Sequence, residues 1–305
     1  MRRYINLLTP IALIVILPLC AMPGAAQKLI DTQSAANSKT NSRMLYHGGP
    51  VLHFAQNAYV IWYGDWPGGT IANSRAMQVV GGFIATIGNR PYMNINSTYA
   101  DGSGPATSSL VWGGNVIDAS YSHGSDLTDA DIQGIISDQI LSFQLPHDPQ
   151  GIYIVIGSAD IASNDAGFCI PGAPPYHASA IINGAFTNYI FLGHPNRCPT
   201  LAGPQFSGTN VPTPHDTFAG DALAANLARA LNASYTNPRG NAWFDRYGLE
   251  NADKCVDAFG QPTFGETYLT ANGARANIHL GQSGDYLIPQ NWVNARRGYC
   301  AMFPQ

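Results

Sequence analysis

The side chains of this sequence best suited to chemistry are histidines and aspartates that follow predicted strands. His177, His194 and His215 lie in predicted loops near the carboxyl ends of strands, and Asp160 ends the most apolar strand. Imidazole and carboxylate groups bind metals and transfer protons, so convergence of these four residues would form a binding site. Alternatively, each is a separate loop residue that bonds to the backbone. We favour this second interpretation, although the four residues remain our candidates for binding.

No complete catalytic motif is present in the sequence. Gly157-Ser-Ala-Asp160 lacks the second glycine of a Gly-x-Ser-x-Gly elbow. No His-Glu-x-x-His or His-Glu-x-x-Glu zinc motif occurs, and Glu250 and Glu266 are the only glutamates. No phosphate-binding Gly-x-x-x-x-Gly-Lys loop occurs either, so the sequence indicates no cofactor. It favours a protein that is not an enzyme. A pair of aspartates such as Asp160 and Asp165 leaves glycosidase chemistry open as a weak alternative.

The N-terminus has the features of a cleaved signal peptide. Arg2 and Arg3 precede an apolar run, residues 5–19, and Gly24-Ala-Ala26 supplies small residues before Gln27. The run is short for a membrane span and is interrupted by prolines. We therefore predict a signal peptide at 1–26 with cleavage after Ala26, a secreted protein, and no membrane span in the mature chain.

The charge of the chain argues against two classes of partner. Loss of Arg2 and Arg3 changes the formal net charge from −4 to −6 (−4 − 2). The mature chain is thus mildly acidic and has no basic tract, so nucleic acid and anionic membranes are unlikely partners. Charged residues make up only 11% of the chain, against roughly 25% in ordinary proteins. Such a surface fits an extracellular protein.

The cysteines also fit an oxidising compartment. Of the five cysteines, Cys20 leaves with the signal peptide, and four remain: Cys169, Cys198, Cys255 and Cys300. Four cysteines allow three pairings, and sequence order with local turns favours Cys169–Cys198 and Cys255–Cys300. A metal cluster is the alternative, but no pair has the Cys-x-x-Cys spacing.

The hydrophobic pattern predicts a flexible tail, residues 27–45, followed by one domain, residues 46–305. Apolar strands at 58–63 and 151–156 alternate with amphipathic helices at 74–87, after Thr128, and at 218–235. Residues 178–182 and 188–192 are predicted to pair, whereas the glycine-rich stretch 91–120 indicates a hairpin or irregular strands. The predicted fold is α/β (mixed α+β): a mixed sheet covered by helices, with an irregular disulfide-bonded C-terminal part.

Clustered aromatic residues raise the possibility of carbohydrate binding. The cluster consists of Trp62, Tyr63, Trp66, Trp112 and Tyr121. Exposed aromatic rings stack on sugars, but such residues more often pack in the core. Core packing is the interpretation that we favour.

Four stretches, in register along most of the mature chain, resemble the EXORDIUM/phosphate-induced protein family. The first stretch is Tyr46-His-Gly-Gly-Pro50 with Val60-Ile-Trp-Tyr-Gly64, and the second is Gly157-Ser-Ala-Asp160 with Gly167-Phe-Cys169. The third is Tyr189-Ile-Phe-Leu-Gly193 with Cys198-Pro199. The fourth is 227–241, which contains Thr236-Asn-Pro238 near its end. The resemblance implies a secreted or cell-wall-associated protein, and it implies no reaction. The segments Glu250-Asn-Ala-Asp-Lys-Cys255 and 291–294 look more like bacterial members than plant ones.

The resemblance also bears on the helix predicted at 218–235. Some bacterial relatives carry a zincin-like His-Glu-x-x-Glu there, and in that register its ligand positions fall on Arg229, Ala230 and Ala233. Arginine is permanently cationic and alanine has no lone pair, so this helix would bind no zinc. We therefore expect a zincin-like fold and a non-catalytic binding or interaction protein of the cell exterior or cell wall. Its expected partners are cell-wall polysaccharide or an extracellular protein. The alternative is a divergent secreted hydrolase that uses Asp and His residues from loops.

Overall fold

The structure is a computed structural model that describes residues 42–66, 71–171, 173–206, 208, 210–258 and 260–305. The predicted signal peptide, 1–26, lies outside the described residues, as does the predicted tail as far as residue 41. The last residues of that predicted tail are folded, because Met44 and Leu45 belong to a strand. The folded domain therefore starts before Tyr46, where the sequence pattern placed its beginning.

The domain alternates strands with helices along most of its length. The strands are β1 (Met44–Tyr46), β2 (Gln56–Tyr63), β3 (Ala100–Asp101), β4 (Gly104–Pro105), β5 (Leu110–Asp118), β6 (Gly151–Gly157), β7 (Tyr176–Ile182), β8 (Ala185–Leu192), β9 (Trp243–Asp245), β10 (Tyr268–Leu269), β11 (Arg275–Ala276), β12 (Ile278–His279), β13 (Asp285–Tyr286), β14 (Asn291–Val293) and β15 (Tyr299–Ala301). The α-helices are α1 (Ile71–Ile87), α2 (Asp129–Leu141), the short α3 (Pro199–Ala202) and α4 (Phe218–Thr236).

A mixed sheet of five strands organises the domain, as predicted. Its order is β5-β2-β6-β8-β7; β5, β2, β6 and β8 run parallel, and β7 pairs antiparallel with β8 at one edge. The predicted pairing of 178–182 with 188–192 is confirmed by this hairpin. Because the carboxyl ends of parallel strands meet at one edge of the sheet, the segments that follow β2, β5, β6 and β8 lie on the same side of the molecule.

Helices cover both faces of the sheet. On one face, α1 and α4 pack on Val60 of β2 and Ile154 of β6; on the other, α2 packs on Ile61 and Val155. Neighbouring strand residues thus enter different layers, since side chains alternate along a strand. Burial on both faces explains why these strands are continuously apolar rather than alternating with polar residues.

The helix ends follow their sequence signals. Thr128 caps α2 by accepting the N–H of Asp131, and Asp131 in turn accepts the N–H of Thr128, as the capping-box pattern predicts. Thr217 caps α4 by accepting the N–H of Gly220, and α4 ends before Pro238. No helix within the described ranges is long and apolar enough to cross a membrane.

The C-terminal part consists of short two-stranded ribbons joined by turns, and both predicted disulfides are present. Cys255 bonds to Cys300 beneath these ribbons, and Cys169 bonds to Cys198 beside the sheet. The aromatic cluster is mainly core: Trp62, Tyr63 and Trp66 are fully buried. Packing, rather than carbohydrate stacking, therefore accounts for these three residues.

Candidate functional site

Asp160 stands on the loop after β6, at the carboxyl edge of the sheet. Its side chain accepts hydrogen bonds from Ser158 Oγ at 2.5 Å and from the Tyr121 hydroxyl at 2.7 Å. Burial alone would raise the pKa of Asp160, but these two hydrogen bonds, a backbone hydrogen bond and the charge of Arg197 together hold its pKa below the ordinary value. Asp160 is therefore an ionised carboxylate whose bonds fix the loop.

His194, which follows β8, is buried and neutral. Its ring packs against Trp66 with 5.3 Å between ring centroids, and its Nδ1 accepts the backbone N–H of Asn196 at 3.2 Å. Burial lowers its pKa to about 4, because removal from water disfavours the imidazolium. His194 thus caps the short turn of 3₁₀ helix at Pro195–Arg197.

His215 lies before α4 and bonds to acceptors through both ring nitrogens. Its Nδ1 is 2.7 Å from Asp221 Oδ1, and its Nε2 is 2.8 Å from the carbonyl oxygen of Ser283. Burial would lower the pKa of His215, but the hydrogen bond and charge of Asp221 raise it above the ordinary value. His215 therefore ties the start of α4 to the C-terminal part.

His177, on the edge strand β7, belongs to a different group of charged residues. Its Nε2 is 2.7 Å from Glu250 Oε2, and the other oxygen of Glu250 accepts a hydrogen bond from Asn237 Nδ2. Burial would lower the pKa of His177, but the charge of Glu250 and the bond to it raise that pKa above the ordinary value. The His177 side chain is only 9% exposed, and its Nδ1 has no hydrogen-bond partner.

The structure thus gives the four predicted residues separate partners and does not join them in one cluster. Within the described ranges, no group of three or more His, Cys, Asp and Glu side chains could hold a metal ion. Asp160, His194 and His215 each fix a loop or a helix end. His177 differs from them because it meets a second buried ion pair beside α4.

Arg229 supplies that second ion pair. It projects from α4, and its Nη2 lies 3.0 Å from Asp253 Oδ1, with both side chains largely buried. Burial raises the pKa of Asp253 above its ordinary value, and the charge of Arg229 offsets this effect in part. Glu250 and Asp253 are adjoining, since the N–H of Glu250 donates to Asp253 Oδ2 at 3.3 Å. The two ion pairs therefore form one network of four charged residues.

This network borders two adjoining cavities beside α4. A cavity of about 550 Å³ is lined by Asn226 and Arg229 of α4, together with Asp253. A second cavity of about 310 Å³ is lined by His177, Glu250 and again Asp253. We call the two cavities together the α4 cleft. Their volumes fall within the range of about 300–1,000 Å³ that is usual for small-ligand sites.

The walls of the larger cavity are mainly aliphatic. They are formed by Ile170, Ala173, Pro174, Leu201, Pro204, Leu249, Val256, Pro262 and Pro289. The Cys169–Cys198 disulfide holds together the two segments that supply most of this list, 170–174 and 200–204. Apolar walls around a few fixed polar groups are the usual composition of a binding site.

The positions of α4 on which the zincin-like motif would fall are Arg229, Ala230 and Ala233. Ala230 and Ala233 are buried against neighbouring elements, and Arg229 Nε has no hydrogen-bond partner. An arginine held in an ion pair cannot bind a metal cation, and alanine offers no ligand atom. The arrangement can donate hydrogen bonds to a ligand oxygen, but it holds no activated nucleophile.

Sequence reasoning missed two residues of this network as site residues. Glu250 and Asp253 lie in the segment Glu250–Cys255, which the sequence distinguished only by its likeness to bacterial relatives. The scarcity of glutamate was the available signal, because Glu250 is one of two in the chain. Its partner His177 lies 73 residues earlier, a distance that no local pattern spans.

Comparison with known proteins defines the class to which this fold and site belong. The family model described as "Phosphate-induced protein 1 conserved region" matches residues 44–303. Because this match covers nearly all of the folded domain, the chain belongs to the phosphate-induced protein 1 family. The resemblance to the EXORDIUM/phosphate-induced family is thus confirmed.

The curated relatives found are plant proteins. Protein EXORDIUM-like 5 from Arabidopsis thaliana is 26% identical over 73% of this chain, and the match covers 65% of that relative, slightly less than two thirds of its length. Protein EXORDIUM-like 3, also from Arabidopsis thaliana, is 25% identical over 91% of this chain and 88% of its own. Protein PHOSPHATE-INDUCED 1 from Nicotiana tabacum is 24% identical over 91% of this chain and 93% of its own.

No solved structure matches the chain. The zincin-like arrangement of its elements therefore stays a prediction.

Proposed function

We propose that this protein is a secreted, non-catalytic binding protein of the cell exterior or cell wall, and that it holds its ligand in the α4 cleft. The observation that carries the proposal is Arg229. It projects from the long helix to the cleft and is fixed by Asp253 at 3.0 Å. A fixed guanidinium beside aliphatic walls suits recognition of a ligand oxygen and not the activation of water.

Two further observations support an extracellular place of action. Both disulfides join residues within the folded domain, and disulfides persist chiefly in oxidising compartments. The low charge of the chain and the absence of a basic tract support partners other than nucleic acid. Cell-wall polysaccharide or an extracellular protein remains the expected partner class.

Turnover and binding should be measured together on the mature protein, residues 27–305. Thermal-shift screens would use neutral oligosaccharides and short synthetic peptides as probes, each followed by mass analysis of the probe after prolonged incubation. We expect at least one probe to raise the melting temperature and to be recovered intact. Elemental analysis after incubation with zinc should find far less than one metal per chain.

Arg229→Lys is the informative variant, with Arg90→Ala as its control. Lysine keeps a positive charge near Asp253 but lacks the planar fork and the Nε–H of arginine. Arg90 is an exposed arginine at the end of α1 that donates to the carbonyl of Thr86 at 3.0 Å. A stabilising probe should lose its effect with Arg229→Lys and keep it with Arg90→Ala. Cleavage of any probe, or a stoichiometric metal, would overturn the proposal.

A further inference from the structure

The outer edge of β7 adjoins the smaller cavity of the α4 cleft. β7 is the last strand of the five-stranded sheet, and no described strand pairs with its outer side. Its first residues, Tyr176 and His177, line the cavity of about 310 Å³ together with Gly248, Glu250 and Asp253, and His177 Nε2 contacts Glu250 Oε2 at 2.7 Å beside it. The cavity thus lies beside both an unpaired strand edge and the C-terminal segment. An unpaired edge presents backbone N–H and C=O groups that can pair with an added strand.

Two buried polar atoms beside the cleft have no hydrogen-bond partner. His177 is nine-tenths buried, and its Nδ1 has no hydrogen-bond partner, nor has Arg229 Nε. A buried polar group without a partner is costly, and a bound ligand that supplies the partner removes that cost. Arg229 also lines the larger cavity, where its guanidinium can donate to an acceptor such as an amide carbonyl.

The charge of the cleft selects against anionic ligands. Four carboxyl groups line the two cavities, those of Asp165, Glu250, Asp253 and Asp257. Arg229 and His177 are the basic side chains among the described lining residues. Even with His177 protonated, the formal charge is −2 (+2 − 4), so a neutral or basic ligand fits the cleft and an acidic one is repelled.

The walls of the larger cavity distinguish a peptide from a sugar. Its lining includes isoleucine, leucine, valine, alanine and proline side chains beside polar ones such as Thr200, Gln205 and Gln261, and no aromatic residue is among the described lining. Sugar rings stack on flat aromatic faces, whereas an aliphatic cavity accepts an aliphatic side chain. The larger cavity shares Pro174, Gly248 and Asp253 with the smaller one, so one ligand can reach both.

We propose that the α4 cleft binds an extended, neutral or basic peptide segment of an extracellular protein. Its backbone pairs with the outer edge of β7, and an aliphatic side chain enters the larger cavity. A carbonyl oxygen of the peptide accepts from Arg229. This inference rests on the proposed function, because it names the ligand class of that same cleft.

The test is fluorescence anisotropy with capped, labelled hexapeptides and the mature protein. The reference peptide alternates leucine with serine; a second replaces two serines by aspartate, and a third carries N-methyl groups on alternate backbone nitrogens. We expect the reference peptide to bind and each altered peptide to bind about tenfold more weakly, since the aspartate peptide is repelled by the acidic cleft and the N-methylated peptide loses backbone hydrogen bonds. A neutral glucan hexasaccharide should not compete.

Variants of the cleft then locate the site. Arg229→Lys and His177→Gln should each weaken binding of the reference peptide roughly fivefold to tenfold. Arg90→Ala should leave binding unchanged, and circular dichroism spectra would confirm that all three variants are folded. Equal affinity for the N-methylated peptide would exclude strand pairing and overturn the inference.

The outcomes also separate this inference from the proposed function. If the glucan binds and Arg229→Lys abolishes that binding, the cleft is a sugar site: the proposed function stands and the peptide inference fails. If the peptides are cleaved, both fail. If peptides bind with no loss in Arg229→Lys or His177→Gln, the peptide site lies elsewhere and the inference fails.

Discussion

His194 and His177 are chemically identical side chains whose surroundings drive their pKa values in opposite directions. His194 is 3% exposed and packs on Trp66, and burial lowers its pKa to about 4. His177 is also buried, but the charge of Glu250 raises its pKa above the ordinary value. His194 is therefore neutral, whereas His177 favours its charged form. Of these two histidines, only His177 can act as a buried cation.

His194 should make the fold sensitive to mild acid. Its folded-state pKa lies below the unfolded value of about 6.5, so the unfolded chain binds the extra proton first as the pH falls. The free energy of unfolding should decrease as the pH falls from about 6.5 towards 4, by up to about 3 kcal/mol. Denaturant unfolding at a series of pH values measures this slope.

His194→Asn is the matched variant for that slope. Asparagine can accept the N–H of Asn196 in place of Nδ1 but does not titrate. The variant should lose the His194 part of the acid sensitivity and should retain the part that arises from carboxylates. An unchanged slope would show that His194 is not the group responsible.

Among the structural elements, helix α2 depends on Thr128, the cap residue that precedes it. Thr128 and Asp131 satisfy each other's backbone N–H groups in the capping box. Thr128→Ala should lower the free energy of unfolding by about 1 kcal/mol, because the N–H of Asp131 loses its side-chain acceptor. Urea denaturation followed by circular dichroism measures the change.

Thr86→Ala is a suitable control for the loss of a threonine. Thr86 lies inside α1, and its hydroxyl donates to the carbonyl of Gly82 at 2.6 Å. Unlike Thr128, it therefore does not supply a hydrogen-bond partner to an otherwise unpaired backbone group at a helix end. Alanine also has the higher helix propensity, and we expect a change within about 0.5 kcal/mol. Equal losses in the two variants would contradict a special role of the cap.

Elements with strong local signals were predictable from the sequence, and the strand β5 shows where such signals end. The apolar strand at 151–156 and the Thr128 cap were found because each depends on neighbouring residues. The stretch 91–120 was expected to form a hairpin or irregular strands; β3 and β4 form a hairpin, and β5 is a parallel strand of nine residues with one register shift against β2. A Cβ atom on Gly113 would lie 2.6 Å from the Tyr59 ring, so close packing by a distant residue requires this glycine.

The candidate site was less predictable than the fold, because it too depends on contacts between residues that are distant in the sequence. Arg229, His177 and Asp253 come from a helix, an edge strand and a C-terminal turn, and only the tertiary fold brings them together. The sequence could show that α4 lacks a zincin-like His-Glu-x-x-Glu motif. It could not show which residues Arg229 meets, because ion pairs across a fold leave no periodic pattern.

At the scale of the whole molecule, the two disulfides should have different effects. The Cys169–Cys198 bond closes 29 residues and the Cys255–Cys300 bond closes 45. Loop entropy alone makes each bond worth about 3–4 kcal/mol. Cys255 belongs to the main core, whereas Cys169 and Cys198 flank the segments that form the cleft wall.

Hydrogen–deuterium exchange can distinguish these effects. The double variant Cys169→Ser/Cys198→Ser should increase amide exchange in residues 201–203, at the cleft wall, under native conditions, because their amides bond to the carbonyls of Cys198 and Pro199. The variant Cys255→Ser/Cys300→Ser should lower the free energy of unfolding by a similar amount while it leaves that segment protected. Equal exchange in both variants would argue that the first bond does not shape the cleft.

The pairing of β1 with β9 has a consequence for the order in which the protein folds. Met44 lies opposite Asp245. Strand β1, at the start of the domain, therefore cannot pair with β9 until about four fifths of the chain has been synthesised. Closure of so long a loop carries a large entropic cost and is slow. Until then, α4 is also missing, because it lies late in the chain. On the sheet face that α1 and α4 share, only α1 is then available to cover the aromatic and β-branched residues of β2. We therefore expect the early strands to be prone to aggregation during synthesis until the last third of the chain arrives.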